Sequence, residues 1–298
     1  NQSWTRPDWP TQGGGLAVTS AALDACLCLL LVSAAAVTVT SVNEPGSERT
    51  GDRADSVAET LSVETAQISY TLRPVDSERT DASPAYERTA HGTLVSLLAR
   101  ATVSTVQVDD EPLTRTRDGF LTAVLAVVRE RLPARTQVVV EFSPYPGAHL
   151  GRDIAVGPTP PPNADIHAAT VRASSGVTAL ENAPGTATTD GFDGLGDAVA
   201  TVLVDSLFPP EEGRLALAGD PPIESLVEHR YARASEHYRV ETRDAVDRGD
   251  TRTANRRLVV AMGDRVAEDL RDRFESAEAA ADSLRVGDVN ISVRTWSA

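Results

Sequence analysis

The chain has 298 residues and a formal net charge of −15, because 43 Asp and Glu residues outnumber 28 basic residues. This balance excludes a nucleic-acid-binding protein, since the release of counterions from phosphates requires a basic surface. The only two cysteines, Cys26 and Cys28, lie two positions apart in one apolar segment, so the rest of the chain has no disulfide and no thiol chemistry.

All of the basic residues are Arg, and the sequence contains no Lys. An acidic surface without Lys suits high salt, where carboxylates hold water and screening removes most of the self-repulsion. GC-rich codon usage also favours Arg over Lys without any selection on charge. Both explanations point to a halophilic archaeal source.

A long apolar segment begins near the amino terminus, after a polar tail over residues 1–15. Within the predicted transmembrane helix, residues 16–42, the 18 residues from Ala25 to Val42 carry no charge. A helix of that length measures about 27 Å, close to the ~30 Å hydrocarbon core of a bilayer. The sequence therefore predicts one membrane-spanning helix, with the bilayer as a partner, followed by a soluble region.

Two alternatives to a retained transmembrane helix stay open. A cleaved secretory signal would use Leu27 to Val32 as its apolar region, but its charged region is poor because Asp8 offsets Arg6. A buried core helix would show one apolar stripe, whereas this segment is apolar around its whole circumference. The few arginines on either side do not decide the orientation.

Asp24 is the acidic residue at the start of the apolar segment. Its carboxylate suits the first turn of a helix at headgroup depth, where the helix dipole favours an anion. Within a membrane span, an acid is costly enough to indicate a role in setting the register between packed helices. Asp24 is therefore the candidate helix-packing residue.

The soluble region divides by composition into a linker over residues 43–55 and an α+β lobe over residues 56–180. Helices are predicted where apolar residues recur every three or four positions, and strands where they alternate. One predicted helix begins at Ser56, and two others cover 92–106 and 118–132. The predicted strands cover 66–72, 138–142, 153–156 and 166–173.

The carboxyl-terminal half, residues 190–298, is predicted to be helical and to end in a strand. A stretch rich in Gly, Thr, Ala and Asp, residues 174–196, is the predicted boundary between the lobes. One predicted helix covers 197–208, a second begins at Pro222 and a third covers 253–284. The predicted strand covers 289–296. The fold class is thus α+β: one transmembrane helix followed by a mixed domain with a helix-rich second half.

The residues indicate no catalytic, cofactor-binding or metal site, so we predict that the protein is not an enzyme. None of the five histidines has the spacing of a metal-binding pair, and no nucleophile or nucleotide motif occurs. Asp190, Asp193 and Asp197 could coordinate a cation only loosely, since they lack the spacing of a calcium loop. The glycines of Gly191 to Gly196 are explained by the start of a helix.

Three stretches together resemble an uncharacterised haloarchaeal family of membrane proteins with a pilin-like amino-terminal helix: TSAALDACLCLLLVSAAAVTV, VVVEFSPYPGAHLGRDIAVGPTPPPNADIHAATV and RVAEDLRDRF with VGDVNISVRTW. Such proteins are similar to accessory components of archaeal type IV pilus and secretion systems. The resemblance implies pilin-like or secretion-system subunits as partners and a soluble domain outside the cell. It departs from archaeal pilins in having Asp24 where Glu is expected and no clear basic signal before the apolar segment.

The leading hypothesis is a structural or accessory component of a surface or pilus/secretion-type assembly, located in the cell membrane. The alternative is a membrane-tethered module that binds an extracellular ligand. That alternative predicts a concave site near Tyr145 to Leu150.

Overall fold

A computed structural model describes the protein over residues 39–41, 48–72, 86–113, 119–180, 182–220 and 223–297. Residues 39–298 form one compact unit. The polar tail, Asp24 and residues 16–38 of the predicted transmembrane helix lie outside the described residues. Of the helices that the structure describes, none combines the length and the apolarity needed to cross a bilayer.

The carboxyl end of the predicted transmembrane helix is a strand. Val39–Ser41 forms β1, which pairs antiparallel with the strand Ile166–Ser174, so that Val39 lies opposite Val171. The local sequence Val-Thr-Val-Thr is rich in β-branched residues, which favour a strand over a helix. The prediction of a helix as far as Val42 is therefore wrong at its end.

The core of the fold is a seven-stranded antiparallel sheet. Besides β1 it consists of β4 (Gln107–Val108), β5 (Glu111–Pro112), β6 (Thr136–Phe142), β7 (Leu150–Val156), β8 (Ile166–Ser174) and β9 (Asp288–Trp296). The strand order is β1-β8-β9-β6-β7-β4-β5. Strands β7, β8 and β9 alternate between buried and more exposed residues, as expected for a sheet with one solvated face.

Three helices and a hairpin pack around the buried face. Helices α1 (Glu48–Val63) and α2 (Leu94–Ser104) contact the central strands, and α3 (Phe120–Arg131) packs on α2 and on the hairpin of β2 (Thr65–Leu72) and β3 (Tyr86–Thr93). Helix α2 begins at Thr93, whose hydroxyl accepts the N–H of Ser96 at 3.2 Å.

A helical layer follows β8 and leads back into β9. It consists of α4 (Ala183–Leu207), α5 (Pro210–Leu217), α6 (Ile223–Tyr238), α7 (Arg243–Val246), α8 (Thr251–Arg273) and α9 (Ala277–Ser283). Helices α4 and α8 approach closely at two glycines, because a Cβ on Gly196 would lie 2.5 Å from the backbone oxygen of Gly263. The pair allows the two longest helices of the layer to pack backbone against backbone.

Several predicted boundaries differ from the structure. Residues 48–55 of the predicted linker belong to α1. The predicted boundary at 174–196 is largely helix α4, bent where Gly191 leaves helical geometry. The predicted helix 253–284 is two helices, since Phe274 adopts an extended conformation and Ser276 caps the next one.

The predicted separation into two lobes does not describe the core, because β9 lies in the middle of the sheet. Residues of β9 pair with β8 on one side and with β6 on the other. The coarse class, a mixed α+β domain with a helix-rich second half, is what the structure has.

Candidate functional site

The loop that joins β6 to β7, residues 143–149, is one place where the sheet meets the helical layer. The hydroxyl of Ser143 donates to the backbone oxygen of Tyr145 at 2.6 Å, and the N–H of Ala148 donates to the same oxygen at 3.1 Å. Gly147 closes the turn with φ of +73°, and a Cβ there would lie 2.5 Å from a guanidinium nitrogen of Arg273. The local sequence Ser-Pro-Tyr-Pro-Gly thus folds into a tight turn against α8.

Asp269 of α8 is the acceptor at the centre of this junction. Its Oδ2 accepts the Tyr145 hydroxyl at 2.9 Å and the N–H of His149 at 3.3 Å. Its Oδ1 accepts Nε of Arg273, one turn further along α8, at 3.1 Å. Burial by itself raises the pKa of Asp269, but the hydrogen bonds from Arg273 and Tyr145 and the Arg273 charge outweigh it and hold the pKa below 3.8.

The imidazole of His149 is enclosed between Asp269 and Tyr238. Its side chain is 4% exposed, with Nδ1 3.5 Å from Oδ2 of Asp269 and Nε2 3.3 Å from the hydroxyl of Tyr238. The first distance is too long for a strong hydrogen bond, and Nδ1 has no hydrogen-bond partner among the described residues. Burial lowers the pKa of His149 from its ordinary value; the Asp269 charge opposes this shift and the Arg265 charge adds to it, so the neutral ring is favoured.

Both tyrosines of the junction are held as neutral phenols. Burial, and then the neighbouring carboxylate of Asp269, raises the pKa of Tyr145. Burial, and then the charge of Asp109, raises the pKa of Tyr238. Neither phenol can therefore act as a phenolate nucleophile near neutral pH, and the group Tyr145, His149, Tyr238 and Asp269 joins the sheet to α6 and α8 rather than facing solvent.

An open cleft of about 320 Å³ lies beside the same loop. Arg152 of β7 lines it, together with the carboxylates of Asp110, Glu141 and Asp153. Nε of Arg152 is buried and finds no hydrogen-bond partner among the described residues. The cleft lies where the binding-module hypothesis places its concave site, and it presents charges of both signs.

A larger cleft, of about 530 Å³, opens between α6 and α7. Its wall carries the acidic side chains Glu228, Glu241 and Asp247 and the cation Arg243. The hydroxyls of Ser235 and Thr242 lie 2.6 Å apart beside it and hydrogen-bond to each other. Nothing in the sequence pattern predicts this cleft, because α7 is only four residues long.

The acidic residues considered from the sequence lie apart from these clefts or outside the described residues. Asp24 is not among the described residues. Asp193 of α4 forms an ion pair with Arg271 of α8, and within the described ranges no group of three His, Cys, Asp or Glu side chains is arranged to hold a metal ion. Sequence reasoning missed the partnership of His149 with Asp269, since 120 positions separate them.

Residues 23–296 match the model of a family of unknown function (DUF7284), and the chain therefore belongs to that family. No curated protein and no solved structure gives a significant match.

Proposed function

We propose that this protein is a non-catalytic structural or accessory component of a membrane-associated surface or pilus/secretion-type assembly. A non-catalytic role is supported by the burial of the His149 side chain between the β6–β7 loop and the helical layer. The imidazole is 4% exposed, and its two nitrogens face Asp269 and Tyr238. The side chains of Tyr145, His149, Tyr238 and Asp269 thus serve to hold the sheet against the helical layer.

The proposed anchor is the apolar amino-terminal segment. Because β1 begins at Val39, a membrane-crossing helix would consist of residues 16–38. As a helix, those 23 residues would measure about 34 Å, enough to cross a hydrocarbon core. Asp24 would then lie within the span, where an acid favours contact with a neighbouring helix, and pilin-like subunits are the proposed source of that helix.

Membrane fractionation of the full-length protein tests this proposal. We expect the protein to stay in the membrane after an alkaline wash and to keep residues 16–38 at its mature amino terminus. Cross-linking in membranes followed by mass spectrometry should then recover proteins that carry pilin-like apolar helices. Asp24→Asn should reduce this recovery several-fold without releasing the protein from the membrane, whereas the control Asp8→Asn in the polar tail should not.

Two outcomes would overturn the proposal. One is a soluble protein whose amino terminus begins near Val37, since the apolar segment would then be a cleaved signal. The other is a membrane-bound protein from which no pilin-like or secretion subunit is recovered, whether Asp24 is unchanged or replaced.

A second candidate, a membrane-tethered binding module, is favoured by the 320 Å³ cleft beside residues 143–149. A ligand for that cleft would carry an anionic group for Arg152 and a cationic group for the surrounding carboxylates. Native mass spectrometry of the protein released from membranes distinguishes the two functions. A retained small zwitterion that is lost in Arg152→Gln would favour the binding module.

A further inference from the structure

One face of the central sheet is left uncovered by the part of the chain that the structure describes. Helices α1 and α2 pack on the side that carries Val140, Ile291 and Val171, all fully buried. On the other side the corresponding residues of β8, β9, β6 and β7 are mostly exposed or half-buried. We call this side the open face; it is formed by Ala168, Thr170, Arg172, Asn290, Ser292, Arg294, Gln137, Val139, Glu141, Asp153 and Ala155.

The charges on the open face are separated by sign. Its arginines, Arg172 and Arg294, stand on β8 and β9, whereas its acids, Glu141 and Asp153, stand on β6 and β7. Arg172 and Asp153 occupy the two ends of one row across four strands, with Asn290 and Glu141 between them. Half of the face is therefore positive and half is negative.

These four charges form no ion pair with any described residue, although ten arginine–carboxylate ion pairs join other side chains of the same ranges. Glu141 and Asp153 even lie directly opposite each other on neighbouring strands. Like charges in that position repel. A cation brought to this side of the face would remove that repulsion.

The row next to the charges is uncharged and has short side chains. It runs Thr170, Ser292, Val139 and Ala155 across the same four strands. No long side chain in this row stands in the way of a second layer. Two sheets that pack face to face lie about 10 Å apart, with their strands within about 30° of each other.

We propose that the open face binds the open face of a second copy of this chain. A two-fold axis parallel to the strands, midway between β9 and β6, places the positive half of one face over the negative half of the other. Arg172 then faces the partner's Asp153, and Asn290 faces the partner's Glu141. The same rotation brings Arg294 over the partner's Gln137, so no like charges meet.

The size of the face makes this a weak, reversible dimer. Four strands about 4.8 Å apart and about seven residues long give a face of about 20 Å by 20 Å, or about 800 Å² over both copies. That area lies below the roughly 1,200–2,000 Å² of stable specific interfaces, so the contact is a weak and transient one. Confinement of two copies to one surface would raise their effective concentration and favour the contact. The inference deepens the proposed structural role by naming a second copy as a partner, but it does not depend on the membrane anchor.

Charge reversal in the full-length protein in detergent provides the test, with sedimentation velocity as the measurement. The unchanged protein should dimerise as its concentration rises through about 10–100 µM. Arg172→Asp should bring acids against acids across the interface, and Asp153→Arg should bring arginines against arginines, so each should weaken self-association at least tenfold. A mixture of these two variants should form a mixed dimer, because each reversed charge then meets its opposite.

Two further proteins complete the test. The double variant Arg172→Asp with Asp153→Arg should dimerise as the unchanged protein does. Arg88→Asp, an equal charge change at an exposed position of the separate β2–β3 hairpin, should leave dimerisation unchanged. Arg172→Gln and Asp153→Asn remove a charge without adding repulsion, so each should weaken the dimer less than charge reversal does. These neutral variants still measure the contribution of the charges to dimerisation if a reversed variant is poorly folded.

A monomer at all concentrations would overturn the inference. So would a dimer that is unaffected by both reversals, because association would then occur elsewhere, such as between amino-terminal helices. The pairing of Arg172 with the partner's Asp153 would also be refuted by a combination of two results. In that case neither the mixture nor the double variant restores a dimer, and the neutral variants leave dimerisation unchanged. None of these results bears on membrane retention or on Asp24, so the proposed function is judged separately.

Discussion

The hydroxyl of Tyr145 donates a hydrogen bond of 2.9 Å to Asp269, a residue 124 positions further along the chain. This bond joins the β6–β7 loop to α8 and so connects the sheet with the helical layer. Asp269 also accepts Arg273 and the backbone of His149. One partly buried carboxylate therefore organises a contact between two distant parts of the chain.

Replacement of Asp269 should destabilise the fold. Asp269→Asn keeps the size of the side chain but removes the charge and turns an amide donor toward groups that are themselves donors. The expected loss in the free energy of unfolding is about 2 kcal/mol, as for hydrogen bonds to charged groups. Urea denaturation measures it, and Asp272→Asn, an exposed position on the same helix, is the matched control. Equal midpoints for the two variants would show that the junction contributes little.

Tyr145→Phe should cost less, about 1 kcal/mol, because it removes one donor and keeps the buried ring. Combining it with Asp269→Asn tests whether the two side chains act through the same bond. The double variant should be less destabilised than the sum of the single variants. Strict additivity would contradict the direct coupling of the two residues.

His149 makes stability depend on pH. Its pKa in the folded protein lies below 6.5, so between about pH 6.5 and that lower value the unfolded chain binds a proton that the folded protein does not. Stability should therefore fall as the pH drops below about 6.5, and His149→Gln should remove this part of the fall. Urea midpoints at about pH 5 to 8 for both proteins measure the difference, which must vanish above about pH 7.5 apart from a constant offset. If lowering the pH instead made the unchanged protein more stable relative to His149→Gln, the effect would have the wrong sign.

The contact between α4 and α8 should tolerate no side chain at Gly196. Gly196→Ala places a methyl group 2.5 Å from the backbone oxygen of Gly263, so the helices must separate. We expect a loss of about 1–3 kcal/mol, as for other cases of overpacking. Gly213→Ala in α5 is the control, since its nearest neighbour would be 3.4 Å away and alanine is the better helix former. The control should be neutral or stabilising in thermal denaturation, and a similar loss in both would refute the packing argument.

Asn255 of α8 should be essential for the far end of the helical layer. Its Oδ1 accepts the buried Tyr231 hydroxyl at 2.7 Å, and its Nδ2 donates to the backbone oxygen of Phe208 at 2.7 Å. Asn255→Ala leaves both groups without their partner and should cost about 2–4 kcal/mol. Asn163→Ala in an exposed loop should have no measurable effect. Thermal denaturation followed by circular dichroism provides the comparison.

Local patterns predicted most of the individual elements. Alternation identified β8 and β9, and the three-to-four spacing identified α2 and α3 nearly to their ends. The same reasoning failed where local signals compete. The strand β3 was missed, and the apolar stripe that continues from α8 into α9 hid the break at Phe274.

The classes of the elements, the acidic Lys-free composition and the single apolar amino-terminal segment could be read from the amino-acid sequence alone. Each of these depends on composition or on residues that are close together in the chain. Three features became visible only in the folded chain: β9 lies between β8 and β6, Asp269 accepts hydrogen bonds from Tyr145 and His149, and the open face separates its charges. Those features depend on pairs more than a hundred residues apart, and their contact is set by strand order and packing rather than by local preference.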